Sequence, residues 1–170
     1  MRTGDLGFLH DVELFVTGRA KDLIIVGGEN HYPQDLEATA ETDPRLRPGC
    51  AAAFQAAEPE GDGGVVLVAE VREVPPAKET EASLGPLAES LRTAIFSVHG
   101  LRLTTVVLVS PRTVPKTTSG KISRARCRAA LRDGTLVALC RRDRPVDGAP
   151  PVPAAAEAPE PPPAPDGPSL

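Results

Sequence analysis

The fold of this chain is decided by one stretch, Val65-Val66-Leu67-Val68-Ala69, which is an unbroken run of apolar residues. A strand with one solvated face alternates apolar and polar residues, whereas a strand buried on both faces is apolar throughout. The segment before it, Gly61-Asp62-Gly63-Gly64, is a strong hairpin signal, and residues 50–54 form a second short apolar run. We therefore expect a hairpin whose second strand lies at the centre of a sheet.

A helix, a further strand and a final helix are expected after this hairpin. Apolar side chains recur at steps of three and four residues across 84–98, which is the period of an amphipathic helix, at Leu84, Leu87, Leu91, Ile95 and Val98. Gly100 fits the end of that helix. Residues 104–109 predict a strand, and a helix is expected from about Ser123 to Asp133-Gly134.

The N-terminal part predicts shorter elements. Two apolar runs within residues 3–18 suggest a β-hairpin, although residues 11–13 lack the glycine of a tight turn. Residues 23–26 predict a strand with residues 27–30 as its turn, and a helix should begin at Pro33 and end before Pro44. The chain as a whole is predicted to be α+β, with a small mixed or antiparallel sheet, flanking helices and N-terminal β-hairpins.

Composition restricts the class of protein. Residues 145–170 contain ten prolines among alanines. They predict a disordered tail, or in a second interpretation a docking segment for partner modules. The net charge is −4, and the three cysteines form no C-x-x-C pair, so neither a disulfide framework nor a metal site is indicated. The sequence contains no apolar run of transmembrane length and no signal peptide, so we expect a soluble cytoplasmic protein without a membrane span.

The stretch most suggestive of chemistry is Pro115-Lys116-Thr117-Thr118-Ser119-Gly120-Lys121, a turn rich in small and hydroxyl residues that ends in a lysine. A nucleotide-binding P-loop requires G-x-x-x-x-G-K-[ST]. Pro115 occupies the position of the first glycine and Ile122 that of the hydroxyl residue, so the P-loop interpretation is rejected. An ordinary surface turn with an exposed lysine remains the alternative.

Three motifs in register resemble one enzyme superfamily. They are residues 2–6 (RTGDL), residues 18–24 (GRAKDLI) continuing through Gly28, Asn30, Tyr32-Pro33 and Glu37, and residues 115–122 (PKTTSGKI). In this order and spacing, residues 1 to about 140 resemble the C-terminal part of the adenylate-forming enzymes. That superfamily contains acyl-CoA synthetases, peptide-synthetase adenylation domains and luciferases.

Within that superfamily, residues 30–37 (NHYPQDLE), 99–101 (HGL), 127–130 (CRAA) and 133–136 (DGTL) resemble fatty acyl-AMP ligases. The resemblance implies ATP-dependent activation of a fatty acid to acyl-AMP and transfer to the phosphopantetheine thiol of an acyl carrier protein. Residues 27–29 (GGE) are closer to acyl-CoA synthetases, which leaves CoA open as the acceptor. A non-catalytic module that binds carrier proteins is a further alternative.

The resemblance also assigns roles to five residues. Lys121 matches the lysine that enters the active site during adenylation, and Asp5 and Arg19 match residues that bind the ribose of ATP. Lys21 occupies the hinge position, and Gly28 lies on the loop that approaches the pantetheine arm. Without the motif match, Asp5 and Gly28 are ordinary turn residues, and the two cations near the hinge are solvated loop charges.

The resemblance divides the chain into three parts. Residues 1–18 form a hairpin at the end of the large-domain region, residues 19–144 a small mobile C-terminal domain, and residues 145–170 the tail. The ATP loop, the fatty-acid pocket and the acidic Mg²⁺ ligand belong to a large N-terminal domain, present in cis or in trans. The chain by itself is therefore expected to form no acyl-AMP.

A basic segment from Arg112 to Arg144 carries ten cationic residues against two acidic ones. It would suit docking of an acidic carrier protein by electrostatic steering, or it is a solvated helix face. Nucleic acid is disfavoured because the chain has one tyrosine, four phenylalanines and no tryptophan with which to stack bases.

Overall fold

The computed structural model describes the backbone of residues 5–10 and 13–19, and backbone with side chains for residues 22–56 and 64–144. The elements in chain order are β1 Asp5–His10, β2 Glu13–Arg19, β3 Ile24–Val26, β4 Glu29–His31, α1 Pro33–Ala40, β5 Leu46–Gln55, β6 Val65–Val71, α2 Thr80–His99, β7 Leu103–Val109, α3 Arg124–Arg132 and β8 Ala138–Asp143. The predicted α+β class is confirmed.

The main sheet has four strands in the order β5-β6-β7-β8. The β5–β6 and β7–β8 pairs are antiparallel, whereas β6 and β7 are parallel. Parallel neighbours need a crossover connection, and α2 provides it. The sheet is therefore mixed, as predicted, and β6 is one of its two central strands.

Strand β6 is buried along its whole length, which confirms the prediction from its apolar run. Side chains of Val65, Leu67 and Ala69 join one buried cluster with residues of α1 and α2. Val66 and Val68 join a second cluster on the opposite face, which includes a residue of α3. Successive side chains of a strand point to opposite faces, so one apolar strand supplies both layers of the core.

Helix α2 begins one turn earlier than predicted and is followed by Gly100 with φ +64°, which confirms the predicted C-terminal glycine. Leu84, Leu87, Leu91 and Ile95 are buried as expected. Val98 is 66% exposed, so its place in the predicted core was wrong. The apolar period identifies the packed side of a helix, but it does not show where along the helix the packing ends.

Two short strands were not predicted. The first, β4, pairs with β3 across the two-residue turn Gly27-Gly28, where φ is +58° and +82°. Residues 27–30 were interpreted as the turn, but positive φ at both central residues is the geometry of a two-residue hairpin turn. The turn therefore ends at Gly28, and Glu29 already belongs to a strand.

The second unpredicted strand, β8, forms the edge of the main sheet beside β7. Its sequence contains three charged residues, which masks any apolar pattern. The buried Arg92 of α2 donates to the carbonyl oxygens of Leu103, Thr104 and Arg142, and thereby ties the helix to both strands. Burial lowers the pKa of Arg92.

The predicted N-terminal hairpin is confirmed, since β1 and β2 pair antiparallel. Helix α1 is also confirmed, with Pro33 in its first turn and its end before Pro44. Residues 1–4, 11–12, 20–21, 57–63 and the predicted disordered tail at 145–170 lie outside the described residues. In the part of the chain that is described, no helix has the length and apolar character needed to cross a membrane.

Candidate active site

The Lys121 loop, residues 115–121, is a tight hairpin closed by an antiparallel bridge between Lys116 and Ile122. The Thr117 N–H donates to the Lys121 carbonyl at 2.7 Å, and the Gly120 N–H donates to the Thr117 carbonyl at 2.9 Å. Gly120 has φ +79°, a conformation that glycine adopts without steric cost. The backbone of the loop is therefore held by its own hydrogen bonds.

Side-chain hydroxyls complete the loop. Thr117 Oγ1 lies 2.9 Å from Ser119 Oγ and accepts the Lys121 N–H at 3.2 Å. Lys121 is exposed, and its ammonium has no hydrogen-bond or ion-pair partner among the residues whose side chains are described. A cation on a braced turn, with no internal anion to satisfy it, is available to an external anion.

The C-terminal side of the loop is anchored by Arg124, the first residue of α3. Its Nε and Nη2 atoms each lie 2.6 Å from a carboxylate oxygen of Glu37 in α1, a bidentate ion pair. The Ser123 N–H donates to the Pro115 carbonyl at 2.9 Å, which ties the two ends of the loop together. These contacts fix where the loop leaves the domain.

The same carboxylate of Glu37 also accepts the Ala53 N–H at 2.8 Å, in the buried part of β5. Burial raises the pKa of Glu37, and the hydrogen bonds from Arg124 and Ala53 offset this only in part. One carboxylate therefore joins α1, β5 and α3, and it depends on Arg124 for its charged form.

The N-terminal side of the loop is anchored by Glu70, a buried residue of β6. Its carboxylate accepts the Val114 N–H at 2.9 Å and pairs with Arg47 Nη1 at 2.7 Å. Burial alone would raise the pKa of Glu70, but hydrogen bonds from the Arg112 and Val114 backbone and from Cys50, together with Arg47, lower it. Glu70 is therefore held as a carboxylate beneath the segment that leads into the Lys121 loop.

Gly28 lies in the exposed β3–β4 turn. A Cβ atom built on it would meet nothing within 4 Å, so the space around this glycine is open. Its φ of +82° disfavours any residue with a side chain. The turn requirement alone accounts for glycine here, and the open space is compatible with the approach of a ligand.

The other predicted site residues lie in or beside the N-terminal hairpin. In the backbone register of β1 and β2, Asp5 is the direct partner of Arg19. Asp5 and Arg19, the two residues predicted to bind the ribose of ATP, therefore occupy neighbouring positions at the open end of the hairpin. Lys21, the predicted hinge, lies outside the described residues.

The basic segment is less uniformly charged than its sequence indicates. Five of its cations form ion pairs with carboxylates: Arg124, Arg132, Arg141, Arg142 and Arg144. Within the described ranges, Arg112, Lys116, Lys121 and Arg126 have no carboxylate partner, and Arg128 lies over the Phe54 ring at 5.5 Å from its centroid. The unpaired cations therefore concentrate around the Lys121 loop rather than along the whole segment.

Sequence reasoning missed the two anchoring carboxylates. Glu37 was identified as part of a motif, not as an ion-pair partner of Arg124. Glu70 was not singled out, although a glutamate at the end of an apolar strand is itself a signal. A charged residue in a buried run requires a charged or hydrogen-bonding partner.

A family model described as "Disco-interacting protein 2-like, AMP domain" matches residues 21–139. The chain belongs to this family. It is 44% identical to the medium-chain-fatty-acid–[acyl-carrier-protein] ligase JamA of Moorena producens and covers 22% of that protein with 80% of its own length. It is 38% identical to the long-chain-fatty-acid–AMP ligase FadD32 of Mycolicibacterium smegmatis, covering 24% of that protein with 80% of this chain.

A solved structure shows the same similarity. The crystal structure of a fatty acyl-adenylate ligase from L. pneumophila, in complex with acyl adenylate and pyrophosphate, matches with a TM-score of 0.56 and 37% identity. The match covers 84% of this chain and 24% of that one. The resemblance to adenylate-forming enzymes, and to fatty acyl-AMP ligases among them, is confirmed. The chain spans about a quarter or less of the length of these relatives.

Proposed function

We propose that this chain is the C-terminal domain of a fatty acyl-AMP ligase and that Lys121 is its catalytic residue. The observation that carries the proposal is the unpartnered ammonium of Lys121 on a loop braced from both ends. Attack of a fatty-acid carboxylate on the α-phosphate of ATP brings two anions together. A preorganised cation that contacts both offsets their repulsion and orients them.

The remaining machinery is proposed to lie in a large N-terminal domain, joined to this chain or supplied in trans. That domain would hold ATP, Mg²⁺ and the fatty acid, while Asp5 and Arg19 contact the ribose at the junction. Lys21 would be the hinge about which residues 19–144 rotate, so that the Gly28 turn replaces the Lys121 loop for acyl transfer. We place the reaction in the cytoplasm, in agreement with three free, buried cysteines.

The acceptor is proposed to be the phosphopantetheine thiol of an acyl carrier protein. Support comes from the name of the Moorena relative, which is a carrier-protein ligase. CoA is the second candidate because residues 27–29 resemble acyl-CoA synthetases. When the reconstituted enzyme is given both an acyl carrier protein and CoA, the thioester that forms shows which of the two is the acceptor.

The decisive experiment adds the matching large domain to this chain and measures acyl-AMP formation with ATP and a fatty acid. Lys121→Ala should lower this rate by about a hundredfold or more, the loss typical of one preorganised charge-stabilising group. Acyl transfer from preformed acyl-AMP should be retained, since it does not use Lys121. Lys78→Ala, at another exposed lysine, is the matched control and should leave both rates unchanged.

Equal rates for wild type and Lys121→Ala would overturn the catalytic role. The chain without the large domain should form no acyl-AMP above background. Acyl-AMP formed by the chain alone would refute the division of the active site between two domains.

A further inference from the structure

A cavity of about 460 Å³ opens beside the Lys121 loop, lined by Arg47, Cys50, Glu70, residues 112–116 and Arg126. We propose that this cavity binds the phosphate group of a ligand. The inference goes beyond the adenylation chemistry, and binding by the isolated chain does not depend on that chemistry being correct.

The charges around the cavity are unbalanced. Four cations line it against one carboxylate, and that carboxylate, Glu70, is already paired with Arg47 at 2.7 Å. Arg112, Lys116 and Arg126 have no carboxylate partner in the side chains that the structure describes, whereas Arg132 in the same helix as Arg126 has one. Several unpaired cations around a concave surface attract an anion more strongly than a single cation on a convex surface does.

The cavity lining combines buried residues, among them Glu70 and Val114, with the exposed side chains of Arg112, Lys116 and Arg126. Glu70, 1% exposed, accepts the backbone N–H of Val114 at 2.9 Å, two residues after Arg112, whose φ is +68°. Residues other than glycine rarely adopt a positive φ because this conformation is strained, so the surrounding contacts must stabilise it. The Glu70 carboxylate therefore holds the backbone next to this unusual residue and restrains where the Arg112 side chain begins, at the cavity wall.

Two further contacts connect the cavity walls. Arg126 Nη1 donates to the Lys116 carbonyl at 3.2 Å, joining α3 to the start of the Lys121 loop. Lys116 Nζ lies 3.3 Å from Cys50 Sγ of β5. The three unpaired cations therefore come from two segments, residues 112–116 and helix α3, which are held together before any ligand binds, and this lowers the cost of ordering them.

The lining favours a phosphate over other anions. Guanidinium groups present planar, forked donors that match phosphate oxygens, and an ammonium adds a compact point charge. A fatty acid would need a long apolar channel, whereas five of the nine residues that line this cavity are charged. The phosphate has three sources with the same chemistry: released pyrophosphate, the phosphopantetheine arm of a carrier, and free inorganic phosphate.

Isothermal titration of the whole 170-residue chain tests the proposal with four probes: inorganic pyrophosphate, inorganic phosphate, 4′-phosphopantetheine, and pantetheine without its phosphate. We expect at least one phosphate-bearing probe to bind, more weakly at high salt, and pantetheine not to bind. Arg112→Gln and Arg126→Gln should each weaken binding by about tenfold, the effect of one lost charge-assisted contact. Arg132→Gln, paired with Asp133 and exposed, is the matched control.

The strongest probe identifies the source of the phosphate. Preference for pyrophosphate indicates a product site, and preference for phosphopantetheine indicates a site for the acceptor arm. Absence of binding by all three phosphate probes at millimolar concentration refutes the proposal. Equal weakening by Arg132→Gln, or binding of pantetheine as tight as that of phosphopantetheine, refutes it as well.

Discussion

Replacing Arg124 by alanine tests the anchoring of the Lys121 loop most directly. The substitution leaves Glu37 with no cation in bidentate contact, while the Glu37 carboxylate still accepts the Ala53 N–H. Side-chain exposure is 19% for Arg124 and 11% for Glu37, so the pair is largely, not fully, withdrawn from water. Removing one partner of a buried ion pair lowers the free energy of unfolding by about 3–5 kcal/mol. Because this pair is partly exposed, we expect a loss near the lower limit, about 3 kcal/mol.

Urea denaturation of the 170-residue chain measures this loss, and thermal denaturation should show a midpoint lower by roughly 10 °C. Adding Glu37→Gln to Arg124→Ala should restore part of the stability, because glutamine keeps an acceptor for the Ala53 N–H and removes the unpaired charge. Arg132→Ala is the matched control on the same helix, and no measurable change is expected because its ion pair is exposed.

The pH dependence has a definite sign. Glu37 has a folded-state pKa above the ordinary glutamate value of 4.5, and removing Arg124 takes away contributions that lower it, so its pKa rises further. Above pH 4.5 the folded variant then binds more protons than the unfolded chain, and its stability falls as pH rises. The loss caused by Arg124→Ala should therefore be smaller at pH 4.5 than at pH 7. A loss independent of pH, or no rescue by Glu37→Gln, would refute the role assigned to this ion pair.

Two further pairs of substitutions separate backbone effects from packing effects. Gly28→Ala should destabilise the chain by about 1 kcal/mol through the φ of +82° alone, because no atom lies near the added Cβ. Gly28→Asn should destabilise it less, since asparagine tolerates the left-handed backbone conformation. A Gly28→Asn variant less stable than Gly28→Ala would contradict this. Ile95→Ala should cost about 2–5 kcal/mol, whereas Val98→Ala should stay within about 0.5 kcal/mol because Val98 is 66% exposed. Equal losses in chemical denaturation would show that Val98 is packed.

The central elements of the fold could be predicted because their signals are local. The apolar run of β6 and the three- and four-residue period of α2 each reflect burial of one segment, and the glycine after α2 reflects one backbone conformation. The loop that carries Lys121 could be identified in the same way, from its glycine, hydroxyl residues and lysine. The motif spacing then indicated the family, which the comparisons confirmed.

The sequence by itself thus determined all the described helices and strands except β4 and β8, together with the family and the residue proposed for catalysis. Only the tertiary structure decided that β8 completes the sheet, that Glu37 and Glu70 brace the Lys121 loop, and that half of the basic segment is neutralised. The physical reason is separation along the chain: Arg124 and Glu37 are 87 residues apart, and Val114 and Glu70 are 44 apart. An ion pair or a ladder of backbone hydrogen bonds between such segments has no local pattern, and it exists only once the core has brought them together.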